Sequence, residues 1–353
     1  MNRFDYVRAG SIGEAVAAAV APDSAYLAAG TNLLDLMKGG ISRPVRIVDI
    51  SRLPGLGKIE RLADGGLRIG ALVRNSDLAH DADIARRYPA MAEALLSGAS
   101  AQLRNAATTA GNVMQRTRCQ YFYDTASACN KRDPGAGCDA RHGETRSHAV
   151  LGWSEHCVAT HPSDFCVALV ALDAVVELEG AAGRREVPLE SFHRLPGDTP
   201  QIETVLAPGE LIVAVRLPPQ AAKFAAHGRY LKVRERTSYA FAVVSAAACL
   251  RFDNDKIAEA RIALGGVALK PWRARAAEAV LAGRAPGADI YREAAAAALA
   301  DARPSGDHNG YKIELARRLV ARALALAAAG TPERLPALPA SPFAQAAGVP
   351  AHG

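Results

Sequence analysis

No apolar stretch of this 353-residue sequence approaches the roughly 20 residues that a bilayer-crossing helix needs. The longest are short or interrupted by arginine, as at 319–329, which sets a membrane span aside. A basic start followed by an apolar core, the mark of a secretory leader, is also missing. Residues 1–8 are mixed polar, and the alanine-rich stretch after them is broken by charge, so no signal peptide of its own is expected. Neither G-x-G-x-x-G nor G-x-x-x-x-G-K-[ST] occurs, which leaves nicotinamide and nucleoside triphosphate sites without positive support. The arginines are scattered, and 42 basic against 36 acidic residues form no clustered nucleic-acid footprint. There is no internal repeat.

What is present is a chain with 50% hydrophobic and 22% charged residues, long enough for two or three cores. Ser11-Ile-Gly-Glu14 reads as a capping box opening a short helix. The apolar run 26–29 then enters Gly30-Thr-Asn, and strands are expected at 46–50 and 67–72 with a helix at 90–96. From 114 to 150 the hydrophobic period disappears, which reads as an insertion. Beyond it, a helix is expected at 164–172 and strands at 174–178 and 210–217, closed by Pro218-Pro219 as a domain boundary. Strands at 224–233, 241–252 and 258–264 followed by helices at 272–281, 289–300 and 311–328 describe an α+β domain. The stretch after Gly330, rich in Pro and Ala, is expected to be an extended tail.

The insertion carries Cys119, Cys129, Cys138 and Cys157, four of the six cysteines. Without a leader, such clustering favours metal or redox chemistry over disulfides. Four thiolates are the number a 4Fe-4S cluster takes, and the wide spacing C-x9-C-x8-C-x18-C is unlike the paired ligands of zinc fingers. Zinc and ordinary thiols remain open on spacing alone. Arg118, Lys131 and Arg132 lie nearby and would offset a cluster's negative charge. Cys166 and Cys249, in apolar segments, read as small buried hydrophobes, and His156 and His161 as structural histidines. Two loops could face a cofactor. Tyr26-Leu-Ala-Ala-Gly-Thr-Asn-Leu-Leu34 passes from strand to helix and can offer backbone N–H groups to a diphosphate, although a plain turn would look the same. Arg104-Asn-Ala-Ala-Thr-Thr-Ala-Gly-Asn112 combines small residues, two hydroxyls and an amide.

Those two loops, with Gly265-Gly-Val-Ala-Leu-Lys-Pro-Trp-Arg273, resemble the flavoprotein subunits of the xanthine dehydrogenase and carbon monoxide dehydrogenase family over nearly the whole chain. The segments 116–124, 129–132 and 154–164 further resemble the branch of periplasmic aldehyde oxidoreductase FAD-binding subunits. The resemblance implies an α+β fold: a p-cresol methylhydroxylase-type FAD-binding domain at 1–219, with a 4Fe-4S loop inserted at about 114–160, then a small C-terminal flavoprotein domain at 220–330. It implies FAD and a 4Fe-4S cluster as cofactors, the latter on Cys119, Cys129, Cys138 and Cys157. Tyr26, Leu27, Ala28, Ala29, Gly30, Thr31, Asn32, Leu33 and Leu34, with Thr108, Gly111, Asn112 and Asp164, would line FAD. Ile212 would pack on the flavin or adenine, and Lys232 would sit near the isoalloxazine ring. The implied role is electron transfer, with no catalytic residue of its own, in a heterotrimeric molybdenum hydroxylase. Its partners would be a small 2Fe-2S subunit and a large molybdenum-cofactor subunit acting on an aldehyde. It would be periplasmic by co-export with a signal-bearing partner, or cytoplasmic. The family's loop often reads Gly-Gly-Thr-Asp, where Ala29 and Asn32 stand here. Hydroxybenzoyl-CoA reductases also carry a cluster in this subunit, so a subunit of that kind is an alternative, as are a free-standing flavin oxidoreductase and a zinc-stabilised interaction subunit.

Overall fold

The computed structural model describes residues 1–334, so most of the expected tail at 331–353 lies outside the described residues. The N-terminal strands β1 (Asp5–Arg8), β2 (Ser24–Leu27) and β3 (Arg46–Asp49) form a parallel sheet of order β1-β3-β2. Val48 pairs with both Val7 and Tyr26. Parallel neighbours need a crossover, and the helix Ile12–Ala19 supplies the first one. Ser11 Oγ caps it by accepting from Glu14 N at 3.2 Å, and the Glu14 carboxylate reaches back to Gly10 N at 2.9 Å. Its Ala15, Val16 and Ala19 turn inward.

Next come β4 (Ile59–Arg61), β5 (Leu67–Gly70), β6 (Val175–Gly180), β7 (Gly183–Pro188) and β8 (Leu211–Leu217), an antiparallel sheet of order β4-β5-β8-β6-β7. The central strand β8 is buried on both faces for most of its length, which explains its nearly unbroken apolar run. Every residue of the helix Asp164–Ala171 is buried, and its all-round apolar sequence fits a helix enclosed in a core. Helix and sheet share the larger of the two main hydrophobic cores.

The last sheet, β9 (Gly228–Val233), β10 (Val244–Asp253), β11 (Lys256–Gly265) and β12 (Trp272–Arg273), is antiparallel with order β12-β11-β10-β9. Alternation along a strand divides β10 between two cores. Ala246, Ala248 and Leu250 face a second core with the helices Arg275–Leu281, Ala288–Ala298 and Tyr311–Ala328, whereas Ala247 and Cys249 join the first. One strand therefore welds the two halves together.

Three expectations shift. Residues 224–227 are not strand, because a 3-10 helix runs over Pro219–His227 and β9 begins at Gly228. The two prolines fix φ at its start, and the buried pair Ala221 and Phe224 has the three-residue spacing of that helix. Strand β10 starts at Val244 rather than 241. Trp272 and Arg273 pair with Leu264 and Ala263 as a short strand, and the helix follows only from Arg275.

Candidate functional site

The four insertion cysteines converge. A short helix, Gln120–Tyr123, starts directly after Cys119, and Cys129 and Cys138 face each other in an isolated antiparallel bridge. Asn130 closes that bridge: its N–H donates to Gly137 O at 2.7 Å, and its Oδ1 accepts from Gly137 N at 2.8 Å. Cys157 is brought in by a turn with Ser154. All four line one small cavity, together with Phe122, Lys131 and Val158, and all six cysteines of the chain are free thiols. No three of the four sulfurs lie within 4.8 Å of one another.

Burial pushes the Cys119 thiol up to about 12 and the Cys157 thiol up to about 11, and it raises Cys138 as well, with repulsion from neighbouring cysteines adding to each. Thiols so placed ionise only beside positive charge. Three protein cations lie close by. Lys131 lines the cavity and favours the Cys157 thiolate, but its ammonium is bound by Glu203 Oε1 and Pro200 O, each at 2.7 Å. Arg132 donates to the carbonyls of Tyr121, Phe122, Asp124 and Ser127. Arg118 pairs with Asp35 at 3.7 Å. Each of these three cations is thus also held by a protein partner.

A second cavity of about 210 Å³ adjoins the first through Cys119, which lines both. Its walls include Arg118, His148, His161 to Asp164, Phe241, Ser245 and the pair Gly265-Gly266. A Cβ at Gly265 would run into Ser245, and Gly266 has φ +72°, so backbone forms this wall because side chains cannot. Ser163 caps the helix Asp164–Ala171 by accepting from Cys166 N at 3.1 Å, and its hydroxyl donates to Asn112 Oδ1 at 2.7 Å. Asp164 accepts from Tyr230 Oη at 2.5 Å and from Lys232 Nζ at 2.8 Å. Burial, together with that carboxylate, pushes the Tyr230 phenol well above its ordinary range.

Asn112, Asp164 and Lys232, distant in sequence, thus belong to one network. Thr108 caps the short helix Thr109–Val113 by accepting from Gly111 N at 3.3 Å, and a Cβ at Gly111 would lie 2.9 Å from Thr108 Oγ1. In the first loop, Gly30 has φ +74°. Asn32 Oδ1 accepts from Arg116 N at 3.1 Å, joining this loop to the insertion, and Asn32 Nδ2 is buried without a partner. Tyr26 Oη donates to Gly209 O at 2.7 Å. Residues Leu27, Ala28, Leu33 and Leu34 are half-buried, while Ala29 and Thr31 are exposed. Ile212 lies apart from the second cavity, buried in β8 opposite Leu178.

Sequence reasoning passed over Tyr230, Ser163 and His148. Only the Ser-Asp pair at 163–164, a helix-start signal, gave any warning. It also missed that Cys166 lies with His161 and His193, their donor atoms within 4.8 Å of one another. The hydrogen bonds argue against a metal there. His193 Nε2 must carry a proton for Val113 O at 2.9 Å, whereas His161 Nδ1 accepts from Ser163 N at 3.3 Å and leaves its proton on Nε2. A metal on His161 Nε2 would force that proton onto Nδ1, against Ser163 N–H.

With fold and cavities in place, the comparisons are specific. Residues 2–220 match the FAD binding domain in molybdopterin dehydrogenase, and residues 229–327 match the CO dehydrogenase flavoprotein C-terminal domain. The chain belongs to this family, as an FAD-binding subunit of the molybdenum hydroxylases. It is 51% identical over 331 residues to the aldehyde oxidoreductase FAD-binding subunit PaoB of Escherichia coli (strain K12), covering 93% of this chain and 99% of that one. It is 30% identical to the carbon monoxide dehydrogenase medium chain of Hydrogenophaga pseudoflava, covering 91% and 96%. The solved carbon monoxide dehydrogenase of that organism superposes with a TM-score of 0.72, at 30% identity, over 93% of this chain and 98% of its own. Among the described residues, no helix is long and apolar enough to cross a membrane.

Proposed function

We propose that this chain is the FAD- and 4Fe-4S-carrying electron-transfer subunit of a molybdenum-dependent aldehyde oxidoreductase, working beside a small 2Fe-2S subunit and a large molybdenum-cofactor subunit. The observation that carries the reading is the convergence of four free cysteines on one cavity that shares Cys119 with a second. The high identity to PaoB, over nearly all of its length, supports the aldehyde class. Flavin and cluster together supply electron exchange when bound, and the protein's share is to hold them and tune them.

In this reading the loop Tyr26 to Leu34 holds the FAD diphosphate, where Gly30 keeps the backbone bare and Asn32 Nδ2 awaits a partner. Thr108, Gly111 and Asn112 line the cofactor beside Asp164, Lys232 orients the Asp164 carboxylate at the isoalloxazine end, and Ile212 backs the site from β8. Cys119, Cys129, Cys138 and Cys157 hold the cluster. The FAD domain is assigned to 1–219, the C-terminal domain to 220–330 and an extended tail to 331–353. Export to the periplasm, where it occurs, would depend on a partner's signal.

The test is flavin, iron, acid-labile sulfide and zinc analysis of the chain co-expressed with its genomic neighbours. The expected result is one FAD with about four iron and four sulfide per chain, beyond the iron of the small subunit. Zinc at the cysteines with no extra iron would overturn the cluster, and a flavin-free chain that remains alone through sizing would overturn the subunit reading.

A further inference from the structure

We propose that His148 sets the reduction potential of the centre held by the four cysteines, through an N–H···S hydrogen bond to Cys119. The proposal rests on the reading of that centre as a 4Fe-4S cluster. His148 Nε2 lies 3.2 Å from Cys119 Sγ, and among the described residues no other side chain hydrogen-bonds any of the four sulfurs. A thiolate ligand has no proton to give, so the shared proton sits on Nε2 and the imidazole donates.

The ring cannot retreat from this contact. His148 is 2% exposed, its backbone N–H donates to Thr145 O at 2.8 Å, and its carbonyl accepts from Lys312 Nζ at 2.8 Å and Asn309 Nδ2 at 3.3 Å. Tyr121 packs against the ring with centroids 6.1 Å apart. Both Cys119 and His148 line the second cavity, so the bond lies in the wall between the two sites. Hydrogen bonds to ligand sulfurs stabilise the reduced, more negative form of a cluster more than the oxidised form, and so raise its potential.

The experiment is a dithionite titration of the assembled complex, followed by low-temperature paramagnetic resonance, with iron counted in every sample. His148→Phe keeps a flat ring but has no N–H, whereas His148→Gln keeps a donor. The Phe variant is expected to retain its iron while the one-electron reduction equilibrium of the centre falls about tenfold, equivalent to 59 mV. The flavin and 2Fe-2S potentials should stay fixed, and the Gln variant should recover most of the shift. If the Phe variant loses iron while the Gln variant keeps both iron and wild-type potential, the need for a donor is upheld. Unchanged potential in an iron-replete Phe variant overturns the proposal and leaves the cluster standing, as does loss of iron from both variants, which would make His148 purely structural. A wild-type complex without this iron and sulfide fails the cluster reading itself.

Discussion

At the scale of single residues, two cysteines now make opposite predictions. If the four convergent thiols hold the proposed cluster, Cys129→Ser supplies a poorer iron ligand, and the folded variant should lose iron and sulfide while keeping FAD. Undiminished iron in that variant would remove Cys129 from the ligand set. Cys166→Ser should keep its iron. Burying a hydroxyl without a partner costs about 1–3 kcal/mol, but His193 presents a bare Nδ1 in the same cluster, so the loss in urea-unfolding stability should fall at or below the low end of that range. Gly30→Val is expected to lower flavin content. The site has φ +74°, and a Cβ there would lie 2.7 Å from Leu34 Cδ1, so the loop must move, and full occupancy in a folded variant would place the diphosphate elsewhere. His193 adds a pH dependence. Burial lowers its imidazole from 6.5 to about 4, so between those values the unfolded chain binds more protons than the folded one. The associated stability is complete above about pH 6.5 and is lost as pH falls toward 4, on the order of 3 kcal/mol at 1.36 kcal/mol per unit. His193→Gln, which keeps an N–H for Val113 O, should flatten the fall in melting temperature between pH 7 and 4.5. An equally steep fall would assign the acid sensitivity to other groups.

At the scale of elements, the helix Asp164–Ala171 places its first carboxylate between Tyr230 and Lys232 of β9. Lys232 and Asp164 are buried partners, and removing one partner of such a pair costs about 3–5 kcal/mol because the other charge is left stranded. Lys232→Met should show that loss in urea unfolding together with weakened flavin retention, and a change below about 1 kcal/mol would mean that water replaces the ammonium. The sequence made much of this scale readable. The helix Tyr311–Ala328 was visible end to end from its apolar period, and the helix at Asp164 from its apolar run. Other elements left no such trace. All four residues of β1 are exposed, so no alternating apolar pattern marks it. The 3-10 helix before β9 borrows its apolar residues from a stretch that reads equally well as strand. Its outcome is decided by the prolines in front of it and by the core that receives Phe224.

Over the whole molecule, the cysteine quartet was legible because its spacing is odd and local, whereas the second cavity was not. That cavity is assembled from five separated stretches, around residues 118–119, 147–148, 160–164, 241–245 and 265–266, and no periodicity links them. Only the resemblance to a known family connected the two glycine-containing loops to a flavin, and Tyr230 and His148 carried no signal at all, since each acts through a neighbour that folding alone supplies. One feature of this architecture bears on how the protein is made. Lys312, fully buried, donates to Ser147 O at 3.1 Å, His148 O at 2.8 Å and Gly266 O at 2.6 Å. A single ammonium late in the chain therefore fastens both the loop beside the cysteines and the glycine wall of the second cavity. In the proposed reading, both walls set only once that lysine has left the ribosome, so flavin and cluster should be inserted after synthesis is nearly complete. Nascent chains halted with about 300 residues exposed should carry neither flavin nor iron, and those released beyond Ala328 should accept both.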